Sequence, residues 1–131
     1  MNKIKILNVC IAGLGTVGSN VIDSLNKNHQ LIIQKINTEF RILAISAKNK
    51  SKKRIFDTRK FKWQDNPIDL VKNNKCDIFI ELIGDEKGLS FDLVKKALEN
   101  KIHVITANKA MLSKHGNELF NIAEKNNVLL L

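Results

Sequence analysis

No apolar run in the 131-residue chain comes near the roughly 18 residues of a membrane-spanning helix. The opening "MNKIKILNVCIAG" sets lysines before an apolar stretch, as an export signal does, but it runs straight into glycines with no cleavage site. Export and membrane insertion are therefore both excluded as expectations. Cysteine occurs twice, as Cys10 and Cys76, each in an apolar setting and without Cys-x-x-Cys or His/Cys spacing. That pattern argues against a zinc site or a disulfide framework and for reduced core thiols in a cytoplasmic protein, with no bound metal. Tyrosine is absent, aromatic residues make up 5 % of the chain, and no RNA-binding signature occurs, so no nucleic-acid partner is expected. Repeats, low-complexity tracts and linkers are missing too, and residues 1–131 read as a single domain.

What is present is an ordinary globular composition, 44 % apolar and 27 % charged, with a net charge of +9 that is unevenly placed. From Lys48 to Lys62 eight basic residues face one acid, Asp57. Such a run is either a solvated loop or an anion site for phosphate or nucleic acid, and its position relative to other motifs decides between them.

Periodicity places strands at Lys5–Ala12, Arg41–Ala47, Asp77–Ile83 and Ile102–Ala107, with a short one at Phe61–Trp63. Val17, Val21 and Leu25 mark one face of a helix over Thr16–Asn26, and His29–Asn37 reads as a second short amphipathic helix. "DNPIDLVKNN" starts another helix with Asp65 or Asn66 as cap and Pro67 in the first turn, where its missing N–H costs nothing. Ser90 is expected to cap a helix that carries Phe91, Val94 and Leu98 on one side. Two helical pieces broken near Gly116 follow, and "NVLLL" reads as a last strand. Strands alternating with helices predict an α/β fold of the Rossmann type, a doubly wound, mostly parallel sheet with helices on both faces.

Gly13, Gly15 and Gly18 form G-x-G-x-x-G at the first strand-to-helix junction. Gly13 permits a tight turn, Gly15 lets a pyrophosphate lie against backbone N–H groups at the helix N-terminus, and Gly18 lets the helix approach the strand. The intervening Leu14, Thr16 and Val17 complete the expected dinucleotide corner. An acid at the end of the second strand would bind the ribose hydroxyls of NAD, whereas a basic residue would accommodate the extra phosphate of NADP. Here that strand ends Ser46-Ala47-Lys48, and the basic run follows directly. Lys48, with Lys53 and Arg54 as helpers, is thus expected to favour NADP over NAD, which remains a possible cofactor. Two charged hydrogen bonds, reduced by screening, correspond to about tenfold or more in affinity.

Four blocks, "GLGTVGSNV" (Gly13–Val21), "AISAKNKSKKR" (Ala44–Arg54), "ELIG" (Glu81–Gly84) and "VITANKAMLSKHGNEL" (Val104–Leu119), make the chain resemble the N-terminal, NAD(P)-binding part of homoserine dehydrogenase. The resemblance implies an oxidoreductase of threonine, methionine and isoleucine biosynthesis that interconverts L-homoserine and L-aspartate 4-semialdehyde. It also implies that Lys109 stands beside the nicotinamide and the substrate, where an ammonium steadies the alkoxide or shuttles its proton. Thr106 and Ala107 would border the cofactor, and Ile83 and Gly84 would flank its ribose and nicotinamide. A lysine at a helix start is electrostatically misplaced, which supports a functional reason for it. Glu81 and His103 read as hydrogen-bonded interior groups, and Trp63 as a core or edge anchor.

Two features depart from the family pattern. Asp85 and Glu86 follow Gly84 where a second glycine is usual, placing carboxylates where phosphates are expected. The family's substrate-binding and dimer-forming region, with a second lysine and a monovalent-cation site, is not in this chain. The chain alone is therefore expected to bind cofactor without turning over homoserine, the whole protein being a homo-oligomer with a small-molecule substrate. The competing reading is a non-enzymatic Rossmann domain that senses nucleotides, which would need the glycines but has no use for "TANKA".

Overall fold

A computed structural model describes residues 3–72, 76–84 and 88–131. Asp85, Glu86 and the end of the "DNPIDLVKNN" helix lie outside the described residues. In chain order the elements are β1 (Lys5–Ala12), α1 (Thr16–Lys27), α2 (His29–Ile36), β2 (Thr38–Ser46), β3 (Lys62–Trp63), α3 (Ile68–Lys72), β4 (Ile78–Glu81), α4 (Leu89–Glu99), β5 (His103–Thr106) and α5 (Lys109–Lys125). The five strands form one parallel sheet in the order β3-β2-β1-β4-β5. The chain steps outward from β1 through β2 to β3, then returns to the other side of β1 for β4 and β5. The crevice between the C-terminal ends of β1 and its neighbours is where ligands bind in open sheets of this kind.

The period of two along each strand separates the two faces of the sheet. Val9 and Ile11 of β1, Ile45 of β2 and Ile80 of β4 pack with Ile22 of α1 on one face. Cys10, Ala12, Ala44, Phe79 and Val104 point the other way into a larger cluster that takes in α3, α4 and α5. A register shift between Val9 and Cys10 opposes Ile42 and then Ala44, so Leu43 is the additional residue of β2. Both cysteines are buried and free. The Cys76 thiol donates to the Ile78 carbonyl at 2.8 Å. Its contact with Cys10, and then its burial, push it well above the usual thiol range.

β4 and β5 are shorter than the expected Asp77–Ile83 and Ile102–Ala107, and four larger differences from the sequence expectations stand beside them. β2 starts at Thr38, because α2 ends on Asn37 in the left-handed region (φ 52°) and turns straight into the sheet. The helix expected to break near Gly116 is continuous over Lys109–Lys125. A helix-interior glycine costs about 1 kcal/mol, which burial of Met111, Leu119 and Ala123 on the same helix outweighs. Ser90 does not cap α4: Gly88 does, with φ 93°, and Ser90 lies inside the first turn. "NVLLL" contributes a single parallel bridge, Leu130 to Val104, beside β5. Among the described residues no helix is long and apolar enough to cross a membrane, and no cluster of His, Cys, Asp or Glu can hold a metal ion.

Candidate functional site

The glycine corner follows from contact distances. Gly13 has φ 96°, and a Cβ there would lie 2.5 Å from the backbone of Leu82 on the segment leaving β4. Its N–H donates to the Ser46 carbonyl at 2.9 Å, and the Leu82 N–H donates to Ala12 at 2.8 Å, so the corner is clamped by both neighbouring strands. A Cβ on Gly18 would come within 1.9 Å of the Gly13 carbonyl oxygen, so only a glycine lets α1 start this close to β1. Gly15 differs from both. It caps α1 without a side-chain bond, and nothing lies within 4 Å of where its Cβ would be. The first N–H groups of α1 have no partner within their own helix, and no acidic residue stands in that turn.

Beside Gly15 opens a cleft of about 370 Å³. Gly13, Leu14 and Gly15 form one wall, Ile83 another, and Lys48 with Arg54 stand at its basic side. Of the expected basic group, Lys53 is exposed and does not line the cleft, whereas Lys52 does. Thr16, Val17 and Gly18 are also absent from its lining; Val17 is exposed on the first turn of α1 and Gly18 is buried against Gly13. Arg54 turns back on its own loop: its guanidinium donates to the carbonyls of Asn49 at 2.6 Å and Lys52 at 3.0 Å, and it lies 5.6 Å from the centre of the Trp63 ring. This staple holds Asn49 and Lys52 on the rim. Sequence reasoning missed Asn49, Lys52 and Asp65, a carboxylate in the same lining. Asp65 was legible only as a possible helix cap, a task that Asn66 performs by accepting from the Ile68 N–H at 3.2 Å.

A second cleft, of about 580 Å³, opens beyond β4 and β5. Gly84 (φ 67°), Ala107, Lys109, Lys114 and His115 are among its walls. Lys109 is the exposed first residue of α5, and its N–H donates to the Ala107 carbonyl at 3.1 Å. Asn108 caps the helix, its Oδ1 accepting from the Met111 N–H at 3.0 Å. Thr106 lines neither cleft; its hydroxyl donates to Glu81 Oε2 at 2.5 Å and accepts from the Asn108 N–H at 3.1 Å. Glu81 is fully buried, and its Oε1 accepts from the Ile83 N–H at 2.9 Å and the Ser90 hydroxyl at 2.8 Å. His103 Nδ1 accepts from the Leu129 N–H at 3.0 Å, which makes it the hydrogen-bonded histidine expected.

A parallel sheet in this order, with a glycine-lined corner at its switch point, defines a Rossmann-type domain of the NAD(P)-binding kind. The match to known proteins makes this specific. The family model described as homoserine dehydrogenase, NAD binding domain, matches residues 13–131. Homoserine dehydrogenase of Neisseria gonorrhoeae is 37 % identical over 127 residues, covering 96 % of this chain and 28 % of that protein. That of Bacillus subtilis is 32 % identical over 122 residues, 93 % of this chain and 28 % of its own length. The crystal structure of the S. aureus homoserine dehydrogenase at pH 6.5 superposes with a TM-score of 0.87 at 36 % identity, over 96 % of this chain and 32 % of that one. The chain belongs to the homoserine dehydrogenase family, and it spans somewhat over a quarter of the length of these relatives.

Proposed function

We propose that the chain is the nucleotide-holding part of an enzyme that interconverts L-homoserine and L-aspartate 4-semialdehyde, and that it holds NADP more tightly than NAD. The bare surface at Gly15, opening on a cleft with Lys48, Lys52 and Arg54 at its rim, carries this reading. A dinucleotide fits these residues: any larger side chain at Gly15 would fill the space a diphosphate takes against the first turn of α1. Lys48 and Lys52 would meet the extra phosphate, Arg54 keeps their loop in place, and Asp65 would be available to ribose hydroxyls. When bound, the nicotinamide supplies the two-electron acceptor or donor of the reaction.

Lys109 and the walls of the second cleft do the rest. The Asn108 cap sets the first turn of α5, which begins at Lys109 in the wall of that cleft, and an ammonium there would serve the substrate oxygen as it gains or loses a proton. The substrate is a small molecule, the whole protein a cytoplasmic homo-oligomer, and neither nucleic acid nor membrane is a partner. This chain alone binds the cofactor and does not turn over homoserine, because most of the length of the relatives lies outside it. Calorimetry with NADP and NAD tests the nucleotide reading: equal affinities, or tighter NAD, would refute the preference. Measurable homoserine oxidation by this chain would refute its dependence on the rest of the family's length.

A nucleotide-sensing domain without chemistry is the competing reading. Lys109 in the wall of the second cleft favours the enzyme. Lys109→Ala in a full-length version of the protein should lower turnover by about 100-fold or more with the fold intact. Unchanged turnover would favour the sensor.

A further inference from the structure

Glu81 has no part in the chemistry proposed so far, yet it is a fully buried carboxylate at the end of a core strand. Burying such a group is costly unless donors replace its lost hydration. Three do, each from a different segment. The Ile83 N–H leaves β4 at 2.9 Å, the Ser90 hydroxyl stands in the first turn of α4 at 2.8 Å, and the Thr106 hydroxyl ends β5 at 2.5 Å. The Glu81 backbone carbonyl also accepts from the Ala107 N–H at 3.3 Å.

The direction of these bonds matters as much as their number. With its only proton given to Glu81, the Thr106 hydroxyl presents a lone pair to the Asn108 N–H at 3.1 Å. Asn108 in turn caps α5 and immediately precedes Lys109. One carboxylate thus ties the segment that carries Ile83, a wall of the first cleft, and Gly84, a wall of the second, to the turn that presents Lys109. A glutamine would fill the same volume but could accept through only one atom. Its amide nitrogen would meet Thr106 as a second donor, and the Thr106 proton would lose its acceptor.

We infer that Glu81 is a positioning residue, its carboxylate setting Lys109 and the Gly84 segment in register for the nicotinamide half of the cofactor. This rests on the nucleotide reading above. The test compares two ligands on the chain itself: 2′,5′-ADP, which carries only the adenosine half, and NADPH. Calorimetry should show that Glu81→Gln binds 2′,5′-ADP within about twofold of wild type while the advantage of NADPH over 2′,5′-ADP drops about tenfold. In the ligand-free chain, hydrogen exchange of the Asn108 amide should accelerate about tenfold while that of Gly13 stays unchanged. Should Glu81→Gln fail to fold, Thr106→Val breaks the same relay, leaves Glu81 two of its donors, and should give the same pattern.

A merely structural role would weaken both ligands by one factor and loosen both amides together. That result overturns the inference, as does an unchanged Asn108 amide or a wild-type chain that holds the two ligands equally. Failure of wild type to bind either ligand would remove the nucleotide reading, and the exchange rates would still decide whether Glu81 holds the turn before Lys109.

Discussion

Around Gly13–Gly18 the wall of the site is backbone, with two glycines pressed against neighbouring chain and a third left bare. Along the same sheet edge, at the ends of β4 and β5, the wall is held by side chains: Glu81 gathers Ser90 and Thr106, and Asn108 caps the helix that presents Lys109. Backbone walls tolerate no added atom where they are packed. Side-chain walls depend on donors and acceptors being matched, and a change of one atom type disturbs them without changing volume. The first kind suits the diphosphate that all dinucleotides share; the second suits an end of the site where protons must be aimed.

The sharpest way to break this contrast is within the glycines. Gly18→Ala drives a Cβ to 1.9 Å from a backbone oxygen and should cost about 3 kcal/mol or more, read from urea unfolding midpoints. Gly15→Ala meets nothing within 4 Å, so its cost should be no more than the preference of a helix N-cap for glycine over alanine, about 1 kcal/mol. Its affinity for NADP should nevertheless fall at least tenfold or so, since a methyl group then occupies the diphosphate surface. Retained binding in Gly15→Ala would mean the bare corner is not the ligand wall. Among the cations, Lys52→Ala with Lys48→Ala should weaken NADP about tenfold and NAD far less, while Lys53→Ala should change either by less than about twofold. Calorimetry separates these, and an equal loss from Lys53→Ala would undo the assignment of Lys52 to the rim. A change outside the glycine corner is Gly116→Ala in the interior of α5, whose Cβ would meet only the Phe120 ring at 3.8 Å. It should raise stability by about 0.5–1 kcal/mol, measured by thermal unfolding.

The same contrast explains what could be read from the residues alone. Glycine spacing, strand density and helical period are local, and they place β1, α1 and a doubly wound, mostly parallel sheet, but not the order of its strands. The roles of Ser90 and Thr106 are not local: each is decided by Glu81, nine and twenty-five positions away on another element. Ser90 therefore looks like a cap until its partner is known. Lys52 and Lys53 are indistinguishable in a run of lysines. Only the fold of the loop around Arg54, whose bonds to Asn49 and Lys52 set which side chain faces inward, tells them apart. Gly116 misleads for the opposite reason, because a local preference of about 1 kcal/mol is overridden by packing along a helix of 17 residues.

The loop after β2 also acts before any contact is made. Arg54 is folded back onto the carbonyls of Asn49 and Lys52 in its own loop, which leaves the neighbouring lysines to project a positive field over the mouth of the first cleft. At physiological ionic strength such a field reaches about 8 Å into solvent, far enough to bias the diffusional approach of a polyanion. The speed of capture should then fall as salt is added, even where the final grip on the nucleotide changes little.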